Sequence, residues 1–158
     1  MSEQKHIISI RMDTNDRTAI RAISQRLFVR ESALYRLAVN HLLKHLDLLL
    51  EDDLDGSDLL PVLLTFREEL CSQLNLKKLQ LYRILNDRSP SDKHVSMADI
   101  ELLLLPEHQI RKRLQLLGYP IASTLKINEG LESYFCKRYN LSTEKNVLTA
   151  DFIVREKV

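Results

Sequence analysis

Three groups of side chains have the types and spacing to do chemistry. In the first, Ile7, Ser9 and Arg11 alternate with Ile8, Ile10 and Met12. Alternation of period two sends the two sets to opposite faces of a strand. With Ile8, Ile10 and Met12 toward a core, Ile7, Ser9 and Arg11 face outward. Arginine offers a rigid fork of donors, and serine both donates and accepts. The second group is His41 and His45, one helical turn apart. That spacing suits two ligands of one metal ion. No third ligand stands nearby in sequence, so the pair reads as a solvated helix face and no metal site is expected. The third is the acidic run Glu51, Asp52, Asp53, Asp55 and Asp58, which reads as a solvated linker rather than an acid–base pair. There is no metalloprotease motif, no Cys–His spacing and no phosphate-cradling glycine loop in a chain with three glycines. Neither an enzyme nor a cofactor is expected.

The elements that must position these residues follow from periodicity and caps. A strand is expected over residues 8–12. Asp13 and Thr14 are good N-caps for a helix over 15–27, with Ala19, Ile20, Ile23 and Leu27 on its apolar face. A break at 28–30 precedes a helix from Glu31 and Ser32 to about Leu50, with a buried stripe of Leu34, Leu37, Ala38, Leu42 and Leu46. Beyond the acidic stretch, Ser57 or Asp58 caps a helix to about Leu74, with Pro61 in its first turn. Further helices are expected over 77–85, over 98–104 capped by Ser96, from Pro106 to Gly118, and over 128–139, where Gly130 weakens the pattern. Residues 86–94 read as a polar loop. Residues 121–127 and 146–154 read as strands. The fold class is mainly α: an N-terminal strand and two helices over 1–50, an acidic linker over 51–58, and a mostly helical region over 59–158.

A lone strand with no hairpin partner must have its backbone groups satisfied by something. The economical partner is the same strand of a second copy, antiparallel across a two-fold axis. Residues 5–46 resemble the ribbon-helix-helix superfamily, the MetJ/Arc class of repressors. The resemblance rests on the order strand, helix, tight break, helix, and on the segments 8–12 and Glu31-Ser32-Ala33-Leu34-Tyr35-Arg36. That family lays its two-stranded ribbon in the major groove. Two departures stand out: Phe28 lies in the break where the family usually has Gly, and Arg30 stands where it has Ser or Thr.

The resemblance implies a homodimeric regulator of transcription, a repressor, that binds double-stranded DNA in a sequence-specific way. Ile7, Ser9 and Arg11 would contact bases: Arg11 the acceptor edge of guanine, Ser9 either base type, Ile7 a thymine methyl. Lys5, His6, Arg30 and the backbone amides of Glu31 and Ser32 would contact phosphate, since helix N-termini favour anions. The plainer alternatives are a solvated charge at Arg11 and an ordinary surface residue at Arg30. For the whole chain, the alternatives are an antitoxin-like or adaptor protein whose C-terminal region binds a partner protein, and a purely structural dimer with no role on DNA. Under the repressor reading the C-terminal region extends the dimer, binds a partner protein or senses a ligand.

The net charge of +1 conceals a pattern: residues 1–50 carry +3, residues 51–58 carry −5, and the rest carries +3. Arg111-Lys112-Arg113 is a short basic cluster, read as a solvated helix face, with a second nucleic-acid contact as its alternative. Cys71 and Cys136 lack zinc spacing and suit buried thiols in a reducing compartment. Residues 1–10 lack the apolar core of a secretory signal, and no apolar run is long enough to cross a membrane. A cytoplasmic protein is expected.

Overall fold

Asp13 ends an N-terminal segment without regular secondary structure and starts the first helix. In the computed structural model, which describes residues 4–141, its carboxylate accepts from the Asn15 N–H at 2.9 Å. This satisfies one of the amides that every helix start leaves without an intrahelical partner. Helix α1 covers Thr14–Leu27 and α2 covers Glu31–His45. Phe28 joins them in the left-handed conformation, with φ 56°, and the Phe28 and Val29 amides close the helix end on the Gln25 and Ser24 carbonyls. A side chain is strained there, which is why glycine is common at such a position. The chain divides into two compact units, Met1–Asp47 and Leu48–Val158.

The first unit has almost no interior of its own. Ser24 is its one buried residue among those described, its hydroxyl donating to the Arg21 carbonyl. The expected apolar stripe is half-buried at Ile20, Leu34 and Leu46, while Ile23, Leu27, Leu37 and Leu42 are exposed. The expected strand is not present: residues 4–13 have no regular secondary structure, and there is no β-strand among the described residues. In one chain, the segment has no edge on which to form a ladder. Helix α2 also stops short of Leu50. It ends at His45, and a 3-10 turn covers Asp47–Leu50.

The second unit is helical and has a true core. A 3-10 turn at Gly56–Leu59 runs into α3 (Leu60–Thr65), which carries Pro61 in its first turn. The expected single helix to Leu74 is instead broken at Phe66, and α4 covers Arg67–Ser72. Then come α5 (Lys78–Asn86), α6 (Met97–Leu104), α7 (Glu107–Leu116) and α8 (Ile127–Tyr139). Leu60, Leu85, Ile100, Leu114, Leu131 and Phe135 are fully buried among them. Each such side chain contributes about 1.5–3 kcal/mol on leaving water. Ser96 caps α6 as expected, accepting from the Asp99 N–H.

Two stretches differ from their sequence reading. Residues 121–126 form a turn rather than a strand, because the Arg111 guanidinium donates to the Ala122 and Leu125 carbonyls at 3.2 and 2.8 Å. Ile121 lies against Gly130, where any Cβ would overlap it, so the glycine in α8 serves close approach. Within 51–58, Leu54, Gly56 and Ser57 are buried, and Asp58 pairs with Lys93 at 2.7 Å. The strand expected over 146–154 lies outside the described residues. No helix among those described is long and apolar enough to cross a membrane.

Candidate nucleic-acid interface

The residues expected to meet DNA all lie in the first unit, and those in its N-terminal segment are exposed. Lys5, Ile7, Ser9 and Arg11 precede α1, and Ile7 is 98% exposed. Their neighbours Ile8 and Ile10 are 80% and 74% exposed, so neither face of this segment is covered within one chain. The six side chains therefore do not divide into an inner and an outer set in the single chain.

The start of α2 is better defined. Arg30 holds the N-cap position in extended conformation, φ −75° and ψ 144°, and makes no side-chain cap. Its carbonyl accepts from the Ala33 N–H at 2.9 Å, which begins the helix. The amides of Glu31 and Ser32 thus belong to the first turn, where the partial positive charge of a helix end is concentrated. Glu31 would oppose an anion there, but its carboxylate is 3.3 Å from the Arg21 guanidinium of α1. The pair cancels charge beside the helix start and ties α1 to α2. Arg36, one turn on, donates to the Ser32 carbonyl at 3.2 Å. Arg36 closes the segment that carries the family resemblance, whereas Arg21 does not stand out in the sequence. The Arg21–Glu31 contact spans two helices, and only the helix-internal spacing of Ser32 and Arg36 is visible there.

Arg11, Arg17, Arg26 and Arg30 are exposed in the same unit. A guanidinium free of carboxylates can neutralise phosphate. Helix α1 opens with Asp16 and closes with Arg26, and α2 opens with Glu31 and closes with Lys44 and His45, which follows the helix dipole.

Other sequence candidates take structural roles. The His41 and His45 ring centroids lie 4.2 Å apart with the planes tilted by 52°, and the His45 Nδ1 lies 2.8 Å from the His41 carbonyl oxygen. Among the described residues, no set of three His, Cys, Asp or Glu side chains is placed to hold a metal ion. In the basic cluster, Arg111 holds the 121–126 turn and Arg113 approaches Glu101 at 3.6 Å. Cys71 and Cys136 are free, and burial pushes both thiols up from their ordinary range.

The strongest polar centre is one the sequence does not reveal. Asp99, almost wholly buried on α6, accepts from Tyr134 at 2.8 Å, Arg138 at 2.8 Å, Tyr139 and Ser96. Burial alone would raise its pKa, but the donors from Tyr139, Arg138, Tyr134 and Ser96 together hold the carboxyl below its usual range. Burial and the same carboxylate push both phenols up. Every oxygen of this cluster is occupied within the protein, so it locks α8 to α6.

Comparison with protein-family models, curated proteins and solved structures finds no match.

Proposed function

We propose that this chain is a homodimeric, sequence-specific DNA-binding regulator of transcription, acting as a repressor through an N-terminal ribbon-helix-helix unit. The observation that carries the proposal is the uncovered apolar face of the first unit: no apolar side chain among its described residues is buried. Two short helices with an exposed face of Ile23, Leu27, Leu37 and Leu42 are half of a core. A second copy supplies the other half, and pairing of residues 8–12 across the two-fold axis satisfies their backbone groups. Ile8, Ile10 and Met12 then turn inward, and Ile7, Ser9 and Arg11 line the groove-facing side.

In this arrangement phosphate contacts set register and base contacts set specificity. Lys5, Arg30 and the Glu31 and Ser32 amides hold phosphate, while Arg11 and Ser9 read base edges. Neutralisation of Glu31 by Arg21 favours the same assignment. The division into a DNA-binding unit and a helical C-terminal domain gives the second unit a separate task. The adaptor reading concerns that task, and the carboxylates of Glu51, Asp52 and Asp55 beside the half-exposed Leu49 and Ile84 favour it. A footprint of the protein on the DNA upstream of its own coding region tests the proposal. A protected, two-fold symmetric site is expected. Protection that spreads along the whole fragment with no preferred site, or no protection at any protein concentration, would refute it.

A further inference from the structure

The second unit carries a groove of about 560 Å³ between the segment that leads into it and helix α5. Its apolar lining comes from Leu49, Leu54, Leu76 and Ile84. Leu54 is buried, while Leu49 and Ile84 remain 44% and 43% exposed, so the groove is open along one side. An occupant would therefore be a segment of something larger rather than an engulfed small molecule.

The charges around it are unequal. Glu51, Asp52, Asp55 and Asp87 line it against Arg83 and Arg88. Arg83 is taken by Asp87 at 3.1 Å, which leaves Arg88 against the other carboxylates. Lys93, already held by Asp58, also feels Asp55. Glu51 and Asp52 are exposed, and among the described residues no cation pairs with either. The free charge beside the apolar lining is therefore negative. Nucleic acid and anionic surfaces are repelled from it, so its partner differs in kind from that of the first unit.

We infer that this groove docks an amphipathic, lysine- or arginine-bearing segment of a partner protein. Apolar side chains of the segment cover Leu49 and Ile84, and its cations meet Glu51 and Asp52. This goes beyond the DNA-binding reading and stands without it. Apolar contact supplies affinity, and charge complementarity supplies orientation and selection.

The test uses the full chain and a labelled synthetic peptide with leucine and lysine at helical spacing, beside the same peptide with glutamate for lysine. The lysine peptide should bind at least about tenfold tighter, since like charges brought together are costly. Added salt should weaken it. The double variant Glu51→Lys, Asp52→Lys should lose about tenfold in affinity for it. Glu51→Gln, Asp52→Asn should lose less while keeping the native circular dichroism, and Arg11→Ala should lose nothing. Equal binding of both peptides would overturn the inference. So would undiminished binding to both charge variants, or self-association of the chain that the charge variants abolish, because the groove would then serve a second copy.

Discussion

The Arg21 guanidinium of α1 lies 3.3 Å from the Glu31 carboxylate in the first turn of α2. This contact bridges the two helices across the Phe28 break and sets the charge at the point where phosphate would dock. Both side chains are partly exposed, so the pair should add no more than about 1 kcal/mol to stability. Glu31→Gln should leave the melting temperature of the chain nearly unchanged. It should tighten binding to all duplexes alike, because it removes a negative charge beside the helix start and frees Arg21. Titration of the variant against two unrelated duplexes checks this, and a loss of affinity would show that Glu31 positions the site rather than merely being neutralised.

Phe28 holds a left-handed conformation, and its side chain is almost wholly exposed. The strain of such a position for a non-glycine residue is about 1–2 kcal/mol. Phe28→Gly should therefore stabilise the first unit by about 1 kcal/mol, after the extra entropy of glycine in the unfolded chain is set against that strain. Denaturant unfolding of the two proteins side by side gives the difference. Destabilisation would mean that the ring is covered in the assembled protein.

Asp99 gives the second unit a defined dependence on pH. Its folded pKa lies below the unfolded value, so its contribution is complete above about pH 4 and is lost as the pH falls through the folded pKa. Acid should loosen α8 from α6 below about pH 4. Asp99→Asn should cost about 2–3 kcal/mol at neutral pH, a figure discounted because Arg138 is half exposed. The variant should also show a flatter stability profile between neutral and acid pH. Thermal melts of both proteins across that range decide it, and parallel profiles would remove Asp99 as the cause.

Local signals in the sequence place several of the helices. Asp13 and Ser96 cap where caps are expected, and α5, α7 and α8 end within a residue or two of their expected bounds. Features that depend on distant residues are not legible. The turn over 121–126 has the composition of a strand, but Arg111 of α7 takes its carbonyls. The break at Phe66 has neither Gly nor Pro to announce it. The 3-10 turn at Asp47–Leu50 continues an apolar pattern that reads as helix. The residues expected to face DNA follow from alternation together with the family resemblance, whereas a strand over 8–12 would require a second chain to pair with. The acidic groove escapes a linear reading because its lining is scattered from Leu49 to Arg88, and Asp99 reads as an ordinary acid in a first turn.

The most direct measurement is a titration of labelled duplexes with the full chain at several salt concentrations, using a fragment from upstream of its own gene and a scrambled one. Two chains should bind per site, with an affinity that falls steeply with salt, as neutralised phosphates release condensed cations. Arg30→Ala should weaken binding to both duplexes alike and make the salt slope shallower by about one for each phosphate that is no longer neutralised. Arg11→Ala should cost about 1–3 kcal/mol at one base pair of each half-site and change which sequence is preferred. Binding by a single chain, or no binding to either duplex at low salt, would contradict DNA recognition by a dimeric ribbon.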